Sequence, residues 1–240
     1  MLTAKTQPNA TANTYDFEFE ALKEAANYRK SIIQAFSQYL KGNVIEIGAG
    51  IGQMTAEFLQ LPEITRLLAV EPDLNFCLQH GKNLPRQELL HGIIQDVTDG
   101  VGWDAIVSIN VLEHIEDHVA ELRHYRTKLA ARNGHVCVLV PARPEIYSPI
   151  DKDFGHFRRY TKKELNNCFQ QAGFEIVTLE YFNLTGYFAW LWTFKIMRAR
   201  HFAKDQVKLF DQHIFPVTQW LEHRFTSLPF GQSLIAVGRA

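Results

Sequence analysis

The residues of this chain with the clearest chemical potential are three glycines and two acids in its first third. Gly48, Gly50 and Gly52 alternate directly after a short apolar run that contains Glu46. A second apolar run ends at Glu71. Glycines in such a turn leave the backbone bare, so that a ligand can approach it closely. An acid that closes the next strand is placed to accept hydrogen bonds from a ribose. The pattern therefore predicts a site for an adenosine-bearing cofactor.

The glycine spacing separates two kinds of cofactor. A dinucleotide fingerprint has the form G-x-G-x-x-G, whereas here the third glycine comes one residue early and Gln53 takes the last position. The charge of Glu46 also disfavours a pyrophosphate and favours a cationic ligand, such as the amino group of S-adenosylmethionine. The pattern E-x-G-x-G-x-G resembles the first motif of class I S-adenosylmethionine-dependent methyltransferases. An NAD-dependent oxidoreductase or epimerase stays open as an alternative that both features disfavour.

Later residues extend this resemblance over 44–140. Asp96 follows the third apolar run, where the family binds the amine of adenine. The fourth run continues into Leu112-Glu113-His114-Ile115, where the family wraps the methionine end of the cofactor. The string Gly-His-Phe-Arg-Arg-Tyr-Thr at 155–161 resembles bacterial enzymes that modify small molecules, sugars or lipid-linked intermediates. The resemblance implies these cofactor-binding residues: Glu46, Gly48, Ala49, Gly50, Gly52, Glu71, Pro72, Asp96, Val97, Asn110 and Val111.

The apolar runs and the resemblance together predict a Rossmann-like α/β fold. It is a seven-stranded, mostly parallel sheet with helices on both faces and an antiparallel last strand. Strands are expected at 44–47, 67–70, 89–94, 103–110, 134–140, 174–179 and 233–239. A helix is expected at 17–40, after a disordered leader at 1–16. The remainder, 17–240, is expected to form one domain, with a helical cap at about 180–230.

A long loop after the fifth strand supplies candidate acceptor residues. It lies at the ligand-binding edge of an open α/β sheet and ends at a capping box, Thr161 to Glu164, that predicts a helix from 162. His156 is the candidate general base. The arginines of the loop either recognise the acceptor or cap carboxylates and cover apolar surface. The predicted acceptor-binding residues are Tyr147, Arg158, Arg159, Tyr160, Tyr187 and Trp190.

The last two of these residues belong to an aromatic segment, 181–197, which is followed by a second amphipathic segment. The aromatic segment is too short and too polar to cross a bilayer, which needs ~20 apolar residues. Three roles stay open for the cap: a lid over the acceptor, an interface between two copies, or a contact with a membrane surface. A similar choice applies to Tyr28 and Arg29, which either close over the cofactor or pack on the sheet edge.

Composition narrows the function further. The formal net charge is −1, which argues against a partner bound through its phosphate backbone. Three cysteines without pairing or metal-ligand spacing indicate buried thiols in a reducing cytoplasm. We expect no metal site, because the acids and histidines between Glu113 and His118 are adjacent in what the sequence presents as a solvated turn.

The sequence thus predicts methyl transfer from S-adenosylmethionine to a small-molecule or lipid- or sugar-linked acceptor, by in-line displacement at the sulfonium methyl group. An acceptor with a hydrophobic body and a polar head suits a polar loop that faces an apolar cap. The alternatives are the oxidoreductase or epimerase above, and a methyltransferase-like binding scaffold without activity.

Overall fold

The structure is a computed structural model of the 240-residue chain. It describes residues 23–80, 85–98, 100, 102–199, 204–222, 224 and 229–240. The predicted leader at 1–16, and the first residues of the helix expected from 17, lie outside the described residues.

Seven strands form one sheet in the order β3-β2-β1-β4-β5-β7-β6. The strands are β1 Gly42–Ile47, β2 Ile64–Glu71, β3 Gln87–His91, β4 Ala105–Ile109, β5 His135–Pro141, β6 Glu175–Phe182 and β7 Ser233–Arg239. Strand β7 is antiparallel to both of its neighbours, and the other pairings are parallel. The predicted sheet and its reversed last strand are confirmed. Because the chain order reverses beside β1, the carboxyl ends of β1 and β4 border the crevice in which such sheets bind ligands.

The third strand ends earlier than the sequence predicts. It stops at His91, and Ile94–Asp96 form a 3-10 turn instead of its last residues. The Asp96 carboxylate accepts a hydrogen bond from the Ile93 amide at 2.9 Å. This local bond offers the backbone an alternative to the sheet ladder, which is why acids favour turns.

Nine α-helices lie around the sheet within the described ranges. They are α1 Ala26–Phe36, α2 Gln53–Phe58, α3 Leu74–Gln79, α4 His118–Leu129, α5 Pro149–Asp153, α6 Lys162–Ala172, α7 Leu184–Trp190, α8 Lys204–Leu209 and α9 Phe215–Glu222. The capping box is confirmed: the Thr161 hydroxyl accepts from the Glu164 amide, and the Glu164 carboxylate accepts from the Thr161 amide. Helix α6 ends at Gly173, whose φ of 87° is the left-handed cap conformation that glycine adopts readily.

The core lies on both faces of the sheet. Along β1, Ile45 packs into the cluster with α4 and α6, whereas its neighbour Val44 packs into the cluster with α1 and α2. Alternate residues of a strand point to opposite faces, so a strand covered on both sides is mostly apolar, with Glu46 as the buried exception in β1. This arrangement confirms the prediction of helices on both faces.

The cap, residues 184–222, begins where β6 ends. Its Trp190 and Phe194 pack against Ile146, Ile150 and Phe154 of the loop that follows β5, in a third apolar cluster. The structure therefore brings the loop and the cap into direct contact. Among the described residues, no helix combines the length and hydropathy that a membrane crossing requires.

Helix α1 joins the cap to the sheet. The Asp211 carboxylate accepts from the amides of Asn27 and Tyr28, both at 2.9 Å. The Tyr28 ring lies 5.7 Å from Phe215 of the cap, and Arg29 pairs with Glu57 of α2. Tyr28 and Arg29 thus pack between elements, which is the second of the two roles that the sequence left open.

Candidate active site

The glycine turn after β1 has the conformation that only glycine adopts without strain. Gly48, Gly50 and Gly52 have φ angles of 70°, 55° and 87°. A Cβ atom on Gly48 would stand 2.5 Å from Cγ2 of Val111, in the turn after β4. The backbone of the turn and the chain after β4 are therefore in close contact, and a side chain would fill the space between them.

Glu71 ties the end of β2 to this turn. One carboxylate oxygen accepts from the Gly50 amide at 2.7 Å, and the other accepts from the Asp73 amide at 2.9 Å. Burial raises the pKa of Glu71, against the lowering effect of these two bonds. The acid predicted to hold the ribose therefore lies directly at the glycine turn, with free lone pairs on oxygens that each accept one bond here.

Glu46 faces helix α2 and is 3% exposed. Its carboxylate accepts from the Thr55 hydroxyl at 2.6 Å, and that hydroxyl lies 3.1 Å from Nε2 of His80. Burial raises the pKa of Glu46 to about 8, and the nearby charge of Glu71 adds to the effect. The predicted contact of Glu46 with the amino group of the cofactor stays a prediction.

The remaining predicted cofactor residues lie in the turns that follow strands. Asp96 and Val97 follow β3, with Asp96 exposed and Val97 buried. Asn110 follows β4 in a left-handed conformation, φ 53°, and its amide donates to the Leu139 carbonyl at 2.8 Å. The carboxyl ends of parallel strands share one edge of the sheet, so all these turns meet there. We call the segments 46–52, 71–73, 96–97 and 110–111 the cofactor half.

The loop after β5 is organised around Asp151, which the sequence analysis missed. Asp151 accepts from Nε of Arg159 at 2.7 Å and from the Ser148 amide at 2.8 Å, and it lies 3.2 Å from Nδ1 of His156. Burial acts to raise the pKa of Asp151, but His156 and Arg159 lower it on balance. The pattern Ser-Pro-Ile-Asp at 148–151 is a capping signature that predicts this helix start from sequence.

Two predicted acceptor residues are buried supports of the loop. Arg159 is 4% exposed; it donates to the Ala142 carbonyl at 3.1 Å and stacks on Trp190 at 4.4 Å. Tyr160 is buried, and its hydroxyl donates to the Leu112 carbonyl at 3.1 Å. For Arg159 the packing supports the carboxylate-capping role that the sequence left open, and the acceptor contact predicted for Tyr160 stays a prediction.

Trp190 is buried as well, with its ring under the Arg159 guanidinium, whereas the other three predicted acceptor residues are more accessible. Arg158 donates to the Glu116 carbonyl at 3.0 Å, and its guanidinium lies 2.6 Å from Nδ1 of His118. The Tyr147 hydroxyl donates to the His156 carbonyl at 2.7 Å. Tyr187 lies half-buried on the cap, with its ring 5.1 Å from that of Phe230.

The start of the turn after β4 is buried rather than solvated, which corrects the sequence-based view of Glu113, whereas His114 is partly buried and Glu116 and Asp117 are exposed. Glu113 has no exposed surface, and its carbonyl accepts from the Phe157 amide at 2.8 Å. One Glu113 oxygen lies 4.0 Å from Nε2 of His156, and the rings of His114 and His156 lie 4.7 Å apart. Burial, with His156 second, lowers the pKa of His114 to about 3. We call residues 113–118, 142–160 and 184–199 the acceptor half.

The chain matches a known protein family over most of its length. Residues 21–179 match the family model described as a methyltransferase domain. The match spans the glycine turn, Glu71, Asp96 and the chain after β4. The chain belongs to this methyltransferase family, and its seven-stranded sheet is that of the class I, S-adenosylmethionine-dependent enzymes. The predictions of the family, of the enzyme class and of S-adenosylmethionine as cofactor are confirmed.

Solved structures share the fold at low sequence identity. A methyltransferase in complex with the Haloferax volcanii Trm112 activator superposes with a TM-score of 0.62 at 13% identity, over 95% of this chain and 96% of that one. A SAM-dependent methyltransferase from Archaeoglobus fulgidus superposes with a TM-score of 0.60 at 12% identity, over 94% of this chain and 100% of that one. The Burkholderia thailandensis 1,6-didemethyltoxoflavin-N1-methyltransferase superposes with a TM-score of 0.59 at 15% identity, over 95% of this chain and 84% of that one. None of the curated protein sequences is significantly similar to this chain.

Proposed function

We propose that this methyltransferase methylates an oxygen atom of a small acceptor that has a polar head and an apolar body. The observation that carries the proposal is the position of the turn after β4. Val111 contacts Gly48 of the glycine turn, and Glu113, two residues later, faces His156 of the loop after β5. One short segment thus connects the cofactor half to a buried polar cluster, which is where the acceptor's reacting group belongs.

The cofactor residues take the roles that the resemblance to the family implies. Glu71 holds the ribose hydroxyls, Asp96 the amine of adenine, and Asn110 with Val111 the methionine end. The buried position of Glu71 beside the Gly50 amide supports the first role, because charge-assisted hydrogen bonds are strongest away from water.

The reaction itself is a single displacement. An acceptor oxygen attacks the methyl carbon, the new O–C bond forms, and the S–C bond breaks with its electron pair remaining on sulfur. The hydroxyl proton leaves to a base or to water. Since the sulfonium methyl group is already activated, the protein contributes mainly alignment and exclusion of water.

His156 is the residue we assign to the acceptor's reacting group. It is buried, and Asp151 on Nδ1 fixes the ring so that Nε2 points toward Glu113. A carboxylate on one ring nitrogen sets the tautomer and orientation of the other. Arg159 contacts His156 through Asp151 and faces Glu113, so it is a positioning residue.

An apolar surface suited to the acceptor's body lies at the junction of β6 and the cap. Tyr181, Tyr187 and Phe230 surround the guanidinium of Arg143, whose carbon lies 5.9, 5.7 and 5.8 Å from the three ring centroids. Aromatic rings beside a cation bind flat, partly polar groups well. The Burkholderia relative was crystallised with 1,6-didemethyltoxoflavin, a small molecule, which supports an acceptor of that size.

The test has two steps. Calorimetry with S-adenosylhomocysteine and with NAD should show binding of the first and not of the second; the reverse would favour the oxidoreductase alternative. Turnover is then measured with radiolabelled S-adenosylmethionine on a matched panel of phenol, 4-hexylphenol and 4-hexylaniline. The proposal predicts the highest rate with the alkylated phenol. Methylation of the aniline alone would assign the reaction to nitrogen, and binding without any turnover over a wider panel would favour the inactive scaffold.

Three further predictions concern the location of the protein, its oligomeric state and its contact with a membrane. The cytoplasm as the location is supported by three buried free cysteines, which persist in a reducing compartment. A homodimer through the cap, and a peripheral membrane contact, are both compatible with exposed cap residues such as Trp192 and Trp220. Sedimentation and vesicle flotation, respectively, test them.

A further inference from the structure

Three side chains of the acceptor half form a cluster that the sequence did not reveal. Glu113, His114 and His156 each offer one ligand atom, and these atoms lie within 4.8 Å of one another. We propose that the three side chains bind a divalent transition-metal cation, Zn²⁺ foremost, which holds the oxygen of the methyl acceptor. The acceptor's part in this proposal rests on the proposed function, whereas the binding of the cation does not.

The geometry is close to that of an occupied site. The Glu113 Oε1 atom lies 4.0 Å from Nε2 of His156, and the rings of His114 and His156 meet edge to face at 82°. Ligand atoms at ~2.1 Å from a tetrahedral zinc ion stand ~3.4 Å apart, so each side chain needs to move inward by less than ~1 Å. Such movement is within the reach of rotation about side-chain bonds.

Asp151 supplies the outer support that metal-binding histidines have. Its Oδ1 atom lies 3.2 Å from Nδ1 of His156, so the Nδ1–H group donates to the carboxylate and Nε2 is left to face Glu113. A carboxylate behind a histidine fixes the ring and raises its basicity as a ligand. This contact is a second observation, independent of the clustering of the three ligand atoms.

The charges around the cluster also favour a cation. The side chains of Glu113 and Asp151 are fully buried, and the buried guanidinium that faces both of them is that of Arg159. Both carboxylates lie away from water beside the three ligand atoms, where they interact strongly with a cation. Buried charges of this kind are paired or coordinate metals.

The ligand types select the class of metal. Two imidazoles with one carboxylate suit zinc and its first-row neighbours, whereas calcium and magnesium prefer shells of oxygen atoms. Three protein ligands leave a position for an acceptor oxygen. The cation would lower the pKa of that hydroxyl, whose proton passes to water, and would present the oxygen to the methyl carbon.

The first experiment measures the cation itself, without any acceptor. Untagged protein is stripped with a chelator and titrated with ZnCl₂, and the bound metal is counted by mass spectrometry after gel filtration. We expect one Zn²⁺ per chain, and visible absorption bands typical of nitrogen and oxygen ligands when Co²⁺ replaces zinc. His156→Gln, His114→Gln and Glu113→Gln should each weaken binding by 100-fold or more. Asp151→Asn should weaken it by about 10–100-fold, as outer-shell changes do.

The matched control is His135→Gln. His135 begins β5, at the opposite edge of the sheet, where its ring lies 5.3 Å from that of Tyr39. The His135→Gln variant should bind zinc with the same affinity as the wild type. Affinity for S-adenosylhomocysteine, measured on every variant, shows which of them keep the fold; His156→Gln is decisive if Glu113→Gln fails to fold.

The second experiment connects the cation to turnover. Removal of zinc should lower methyl transfer to the best phenol at least 100-fold and leave S-adenosylhomocysteine affinity unchanged, and added Zn²⁺ should restore the rate. Stoichiometric zinc with no turnover of any acceptor would overturn the proposed function and leave the metal site standing. Failure to bind zinc or cobalt, or equal binding by the wild type and His156→Gln, would overturn the metal site, whatever the turnover.

Discussion

The cofactor half and the acceptor half share one edge of the sheet but are assembled differently. In the cofactor half, each group lies within a few residues of a strand end, and the register of parallel strands brings Glu71 to Gly50. In the acceptor half, His156 meets Glu113 across 43 positions of sequence (156 − 113), and Arg159 meets Trp190 of the cap. The first half is held by backbone geometry, and the second by buried side-chain contacts.

Mutations in the two halves should act in different ways. A change in the cofactor half should alter ligand affinity in proportion to a lost or blocked contact. A change in the acceptor half should first loosen the loop, because its polar groups support one another around Asp151. Measurements of cofactor affinity and of the free energy of unfolding therefore distinguish mutations in the cofactor half from mutations in the acceptor half.

The largest effect is expected from Gly50→Val. A branched side chain there would fill the path of the cofactor, and it is also strained at a φ of 55°. Affinity for S-adenosylhomocysteine should fall at least ~1,000-fold, or about 4 kcal/mol, as measured by calorimetry. Gly100→Val is the control, since Gly100 has a φ of 88° and open space around its Cβ position. Equal loss of affinity in both variants would show that strain, not occlusion, is responsible.

Arg159→Ala tests the buried support of the acceptor half. In the wild type, the side chains of Arg159 and Asp151 are 1% and 0% exposed. Removal of one partner leaves a buried charge and should cost about 3–5 kcal/mol of unfolding free energy, as measured by urea denaturation. Affinity of the folded protein for S-adenosylhomocysteine should not change.

The control for Arg159→Ala is Glu175→Ala, which breaks the exposed pair with Arg239. Such a surface pair contributes about 0–1 kcal/mol. If the two variants lose equal stability, the contrast between buried and exposed support is wrong. If Arg159→Ala instead loses cofactor affinity, the two halves are not independent.

Glu71→Ala should weaken S-adenosylhomocysteine binding by ~1.5–3 kcal/mol, or roughly 10- to 100-fold, because it removes charge-assisted hydrogen bonds to the ribose. Asp73→Asn, two residues further on, is the matched control and should change the affinity less than threefold. An unchanged dissociation constant in Glu71→Ala would place the ribose elsewhere.

The smallest effect concerns the pH dependence of stability. Burial raises the pKa of Glu46 from 4.5 to about 8, so between these values the folded chain keeps a proton that the unfolded chain loses. The contribution of Glu46 to the free energy of unfolding is complete below about pH 4.5 and is lost as the pH rises through 8. From pH 6 to 7, the wild type should lose about 1.4 kcal/mol relative to Glu46→Gln, in which no such proton is lost.

Urea denaturation of both proteins at the two pH values measures this difference. Other ionisable groups are common to the two chains, so their contributions cancel. Glu88→Gln, at an exposed position on β3, should follow the wild-type trend. Parallel pH trends in the wild type and Glu46→Gln would mean that Glu46 is already ionised in the folded protein.

The local sequence determined the sheet and the cofactor half. Apolar runs predict strands because a strand buried on both faces is mostly apolar. Closely spaced glycines predict the turn because they adopt positive φ angles at which other residues are strained. The boundary of β3 escaped prediction, because the Asp96 side chain competes with the sheet for the Ile93 amide. Such competition depends on a single hydrogen bond, which hydropathy does not contain.

Tertiary structure alone decided the acceptor half. The sequence presents Glu113 and His114 as members of a solvated, charged turn, yet the loop after β5 buries Glu113 and brings His156 against it. The sequence also leaves two roles open for Arg159, acceptor recognition or capping of a carboxylate, and only the packing against Asp151 and Trp190 supports the second. Backbone propensity and the spacing of apolar residues depend on residues that are close in sequence, so they predict strands and turns. Burial of a polar side chain depends on what folds over it from elsewhere, and here that is the loop and the cap.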